Sequence, residues 1–127
     1  MKIGVQLYTL RSLMEDDLWG TMAKLADAGF KNVELAGLYD KPVQEWAEKL
    51  GSLGLQVSSS HTGITEVEGD ILPVIELTKT LGYSTLVCPW VPAEAYAGGW
   101  TALGKRLDLA GQKLAEHGIQ YGYHNHS

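Results

Sequence analysis

His124 and His126 occupy alternate positions in the run Gly122-Tyr123-His124-Asn125-His126. On an extended strand alternate residues share a face, so both imidazoles project one way and Asn125 the other. Neutral imidazole ligates divalent metals and moves protons near neutral pH. The plain alternative is two solvated histidines at a frayed terminus. Glu34 is a lone carboxylate between Val33 and Leu35. A buried charge without a partner is costly, so Glu34 is expected to face a polar interior, where it binds a substrate hydroxyl or orients a histidine. Its alternative is a structural hydrogen bond to a neighbouring strand. His61 follows Ser58, Ser59 and Ser60. Strict alternation places it with Leu55 and Val57 on the apolar side, unless the strand has ended by Ser60. Tyr8 and Trp90 can wall a small polar pocket, although aromatic side chains more often simply pack. Cys88 reads as a buried strand residue.

The elements that must position these groups follow from a repeat. KLADAG ends at Gly29, KLGSLG at Gly54 and KLAEHG at Gly118, with LTKTLG at Gly82 a weaker copy. Each closes a helix-like stretch and precedes a short apolar run, and a glycine just past a helix accepts the left-handed backbone that ends it. The stripes Leu18, Met22, Leu25, Ala26; Val43, Trp46, Ala47, Leu50; Ile71, Val74, Ile75, Thr78; and Trp100, Leu103, Leu107, Ala110, Leu114 all have helical spacing. They are read as core. Pro42 suits a first helical turn and Asp70 an N-cap. Strands are expected over 2–9, 32–36, 55–60, 84–89 and 119–125. Strands alternating with helices imply a parallel α/β sheet of about five strands and four helices, in a single domain over residues 1–127.

Within the strands one face is apolar and the other polar or small. Ile3, Val5, Leu7 and Thr9 oppose Gly4, Gln6 and Tyr8. Ile119, Tyr121 and Tyr123 oppose Gln120, Gly122, His124 and His126. A parallel strand covered on both sides should be apolar on both. The polar face is therefore expected to line a barrel interior. Polar and aromatic groups gather at the C-terminal ends of the strands, where ligands bind in parallel α/β folds.

Composition narrows the possibilities. The 127 residues carry a formal net charge of −5 from 10 Lys and Arg against 15 Asp and Glu, with no basic run, which argues against a nucleic-acid partner. One cysteine excludes a disulfide framework. The N-terminal apolar run is too short and interrupted for a signal peptide, and no stretch reaches membrane-spanning length, so a cytoplasmic protein is expected.

Four segments, GVQLYTLR at 4–11, KNVELAGLY at 31–39, SSSHTG at 58–63 and GIQYGYHNH at 118–126, resemble in order and spacing the sugar phosphate isomerase/epimerase family of xylose isomerase-like (β/α)8 barrels. The resemblance covers essentially the whole chain. It implies proton transfer next to a carbonyl through an enediolate, on a sugar or polyol, assisted by a divalent metal such as Mn, Mg, Co or Zn. It implies Glu34 and His126 as catalytic, Gln6, Tyr8, His61 and Trp90 as substrate-binding, and His124 as a metal ligand. A complete barrel needs eight units and about 250 residues. The expectation is thus an incomplete TIM-barrel repeat, the N-terminal half, with most of the family's metal ligands expected after Ser127. The family's strand-five position is often glutamate, and His124 stands nearest to it. The second reading is a catalytically inactive half-barrel whose open sheet edges make it a homo-oligomer. A metal-dependent endonuclease of the same superfold places several histidines at early strand ends, but His61 is the only histidine in the first 116 residues here. A flavodoxin-like open sheet fits the strand count, but TLRSLMEDD after the first strand is acidic, lacks glycine and makes a poor phosphate cradle.

Overall fold

The computed structural model describes residues 2–126. Five parallel strands form one open sheet in the order β1-β2-β3-β4-β5: β1 Gly4–Gln6, β2 Asn32–Leu35, β3 Gln56–His61, β4 Thr85–Cys88 and β5 Gln120–Tyr123. Between them lie α1 Arg11–Asp16, α2 Leu18–Asp27, α3 Val43–Leu53, α4 Ile64–Glu68, α5 Leu72–Leu81 and α6 Trp100–Ala115. Short 3-10 turns span Leu7–Leu10 and Ala93–Tyr96. No described helix is long and apolar enough to cross a membrane.

The four repeat glycines close their helices as expected, with φ of 93° at Gly29, 67° at Gly54, 73° at Gly82 and 72° at Gly118. The helical stripes bury against one face of the sheet, where Val33, Leu35, Val57 and Leu86 meet Met22, Leu25, Trp46, Leu50, Val74 and Ile75. Trp46 is fully buried, donates its indole N–H to the Leu38 carbonyl at 2.9 Å, and meets Trp19 edge-on at 4.9 Å. Asp70 supports α5 from one position earlier than an N-cap, accepting the Leu72 N–H at 3.0 Å.

Three expectations need correction. The first strand stops at Gln6, because the Gln6 side chain accepts the Tyr8 N–H and so offers the backbone a turn in place of the ladder. Tyr8 therefore lies in the 3-10 turn, not on a strand. Two helices lie where no helix was expected. Asp17 separates α1 from α2 and caps α2 through the Gly20 N–H at 3.0 Å, while Glu66 reaches back to the Gly63 N–H at 3.0 Å to start α4. Trp100 is 67% exposed, because it stands on the first turn of α6, where it stacks on Tyr96 at 5.0 Å.

Helix α6 grips the segment that follows β3. Lys113 Nζ donates to the carbonyls of Val67 at 2.8 Å and Gly69 at 2.9 Å, capping the last turn of α4. Arg106 makes a two-pronged pair with Glu68 at 2.8 and 2.9 Å. Trp46→Ala should lower unfolding stability by about 3–5 kcal/mol, read from urea midpoints, since it empties the largest fully buried side chain. A loss below 1 kcal/mol would contradict its central packing role.

Candidate functional site

The polar face carries a connected set built across three adjacent strands. Register places Gln6 beside Glu34 and Glu34 beside Ser59, so these three residues form a lateral row. His61 stands two positions beyond Ser59, over the same face. Its Nε2 lies 3.2 Å from Glu34 Oε1. The Gln6 amide nitrogen lies 3.1 Å from His61 Nδ1 and 3.0 Å from Nε2. Ser59 donates its hydroxyl to Glu34 Oε2.

A β-bulge makes this row possible. Val33 pairs with Val57, but Glu34 pairs with Ser59, so Ser58 is a surplus residue in β3. Before the bulge Val57 faces the helices; after it the phase is inverted. Ser60 turns to the helix side, where it accepts the Tyr83 hydroxyl at 2.9 Å, and His61 turns to the polar face. The strand does not end at Ser60, which was the condition stated above for His61 to leave the apolar side. It runs through His61, and the bulge does what termination would have done. Ser59 as the partner of Glu34 was missed for the same reason, and the run of three serines was its only trace in the sequence.

His124 and His126 extend the set towards β5. The His124 N–H donates to the Cys88 carbonyl at 2.9 Å, continuing the parallel ladder past Tyr123. Its ring is 6.0 Å from that of His61, and the His126 ring meets it edge-on at 4.9 Å. Tyr8 and Trp90 stand apart from this set, 57% and 61% exposed. The Arg11 guanidinium lies over the Tyr8 ring at 4.4 Å, and the Trp90 carbonyl accepts the Cys88 S–H at 3.6 Å. Five surface depressions elsewhere on the molecule are lined by other residues.

Burial pushes the His61 pKa below its usual 6.5; Glu34 opposes this, and the positive charge of His124 and His126, when protonated, adds to it. A neutral ring can both donate and accept, whereas an imidazolium only donates. Both Glu34 oxygens have a polar partner, His61 on one and Ser59 on the other. Among the described residues no group of three or more His, Cys, Asp or Glu side chains can hold a metal ion. His124 therefore lacks companion ligands here, and the residues present do not fit the divalent metal that the resemblance implies.

The depressed pKa of His61 sets a direction for stability. The folded chain resists protonating this ring more than the unfolded chain does, so the contribution is complete above about pH 6.5 and is lost as pH falls through the lower folded value. Urea midpoints should fall between about pH 7.5 and 5.5, and His61→Gln should flatten that slope. An unchanged slope in the variant would assign it to other groups.

No protein-family model matches the chain, and no curated protein matches it in sequence. Solved structures do match it in fold. A sugar phosphate isomerase/epimerase from Parabacteroides distasonis superposes with a TM-score of 0.76 at 23% identity, covering 99% of this chain and 51% of that one. An L-ribulose 3-epimerase superposes with a TM-score of 0.61 at 19% identity, over 95% and 48%. A family 2 AP endonuclease from Brucella melitensis gives 0.64 at 19%, over 83% and 48%. The chain spans about half the length of each of these three structures. At these identities the likeness is one of fold, and the chain has the fold of half a TIM barrel.

Proposed function

We propose that the polar face serves proton transfer beside a carbonyl in a small polyol, the chemistry of a sugar or sugar phosphate isomerase or epimerase. The observation that carries this reading is the joined set Gln6, His61, Glu34 and Ser59 at the C-terminal edge of adjacent parallel strands. A carboxylate held by two polar partners is a base of fixed position. In the proposed step the C–H bond next to the carbonyl breaks, its proton passes to Glu34, and the electron pair moves onto the carbonyl oxygen to give an enediolate. Movement of the adjacent hydroxyl proton to the former carbonyl oxygen, with return of a proton to the former carbonyl carbon, isomerises the sugar; return to the opposite face of the original carbon epimerises it. His126 is proposed as the second proton carrier, across His124 from His61. Gln6 and His61 bind substrate hydroxyls, and Tyr8 and Trp90 offer exposed rings at the same end of the sheet. A divalent metal held by His124 would need its further ligands from outside residues 2–126. The reading places the protein and its polyol partner in the cytoplasm.

The second reading is an inactive half-barrel that pairs with another copy of itself. It is favoured by the sheet, in which, among the described residues, β1 and β5 each pair on one side only. Unpaired strand edges leave backbone donors and acceptors that seek a partner.

Deuterium uptake from solvent into a panel of ketoses and their phosphates, followed by NMR with and without added Mn2+, separates the two readings. Exchange that drops about 100-fold in Glu34→Gln supports the first. No exchange with any ketose, in a chain that sedimentation shows to be a dimer or larger, supports the second. A chain that stays monomeric at high concentration counts against self-association.

A further inference from the structure

The ladder beneath the imidazoles lacks one rung. Past the end of β3 the pairing with β4 continues, since the Thr62 N–H donates to the Val87 carbonyl at 2.9 Å. In a parallel ladder, a residue that donates to one carbonyl of its neighbour accepts from the N–H two residues further along that strand. For Thr62 that position is Pro89, and proline has no N–H to give. Thr62 is only 4% exposed, so water has little access, and a buried carbonyl without a donor is costly. The Tyr121 hydroxyl fills the gap. It reaches from β5, beyond β4, and donates to the Thr62 carbonyl at 2.9 Å.

The polar groups beside this bond have partners of their own. Thr62 Oγ1 and Ser60 Oγ lie 3.3 Å apart, and the Tyr83 hydroxyl donates to Ser60 Oγ at 2.9 Å. The Tyr121 ring packs against both hydrophobic clusters, a task that phenylalanine would perform as well. The carbonyl is what calls for a tyrosine. Burial pushes the Tyr121 pKa far above its usual value, with Cys88 adding to the effect, so the hydroxyl keeps its proton and stays a donor.

We propose that Tyr121 is a positioning residue: its hydroxyl replaces the rung that Pro89 removes and ties the residue after His61 to the strand that leads to His124. Tyr121 stands three residues before His124 and Thr62 one residue after His61. The bond therefore joins the two backbones that set these rings 6.0 Å apart. The inference deepens the proposed proton transfer and rests on that reading only for its consequence, a fixed spacing between the two imidazoles that face one polyol.

Amide exchange and 1H–13C spectra of the histidine rings, recorded by NMR on the full chain, test this. In Tyr121→Phe the Thr62 N–H should exchange about 5- to 100-fold faster, the cost of a buried carbonyl left without a donor, while amides upstream in β3 keep their rates. The ring signals of His61 and His124 should move, and those of His117, ahead of β5, should stay. Pro89→Ala restores a backbone N–H at the missing rung. Adding Tyr121→Phe to Pro89→Ala should then change the Thr62 rate by less than about 2-fold and leave both rings in place. Rings that do not move in Tyr121→Phe overturn the inference, and so does an equal loss with and without Pro89→Ala. Where the variants do not fold, the wild type decides. Its Tyr121 hydroxyl proton should be protected and should cross-relax with Thr62, and a hydroxyl in fast exchange with water overturns the inference. Failure of ketose exchange with the ring shifts observed removes the proposed reaction alone; ketose exchange with the rings unmoved removes this inference alone.

Discussion

A carboxyl group set between two fully buried neighbours on a parallel strand dictates much of what surrounds it. Val33 and Leu35 anchor β2 into the core, so Glu34 must project to the opposite face. Leaving it there without partners would be costly in a partly desolvated position. His61 and Ser59 meet that demand with one polar partner for each oxygen. Gln6 completes the ring of partners from the other side. The three strands that contribute these residues are therefore tied by side chains as well as by their backbone ladder.

The sequence made the repeat legible because glycine stops and helical stripes are strong local signals. Gly29, Gly54, Gly82 and Gly118 each take the left-handed turn expected of them. Core positions such as Trp46, Leu50, Val74 and Leu114 are buried as their spacing implies. Glu34 was placed correctly because its flanking residues left one choice of face. What escaped was decided by side chains acting on backbone. The Gln6 carboxamide ends β1 early, and α1 and α4 are too short to show a full helical period. Trp100 has the right spacing for the core but stands exposed on the first turn of α6, stacked on Tyr96. The phase of His61 depends on pairing between two strands, and no single-strand pattern contains that information.

The chemistry-bearing set and the scaffold beneath it differ in how they are held. Strand residues fix Glu34 and Ser59 in register, whereas the segment after His61 is secured from a distance by α6. Lys113 and Arg106 both clasp the C-terminal end of α4, one through backbone carbonyls and one through Glu68. Such second-layer supports matter because a side chain is only as well placed as the backbone that carries it. Aromatic residues near the rim, by contrast, are held to one another or to solvent-facing turns, as in the Tyr96–Trp100 stack.

The surplus residue in β3 divides that strand into two stretches that answer to different demands. Upstream of Ser58, each substitution is judged by its fit to the hydrophobic layer beneath the helices. Downstream, the same alternation is read against the opposite surface. The two stretches can consequently diverge independently, and a lineage could rewrite the serine-histidine tip for new chemistry without disturbing the packing that Leu55 and Val57 secure. Loss of that one position would fuse the two histories and turn the imidazole towards oil.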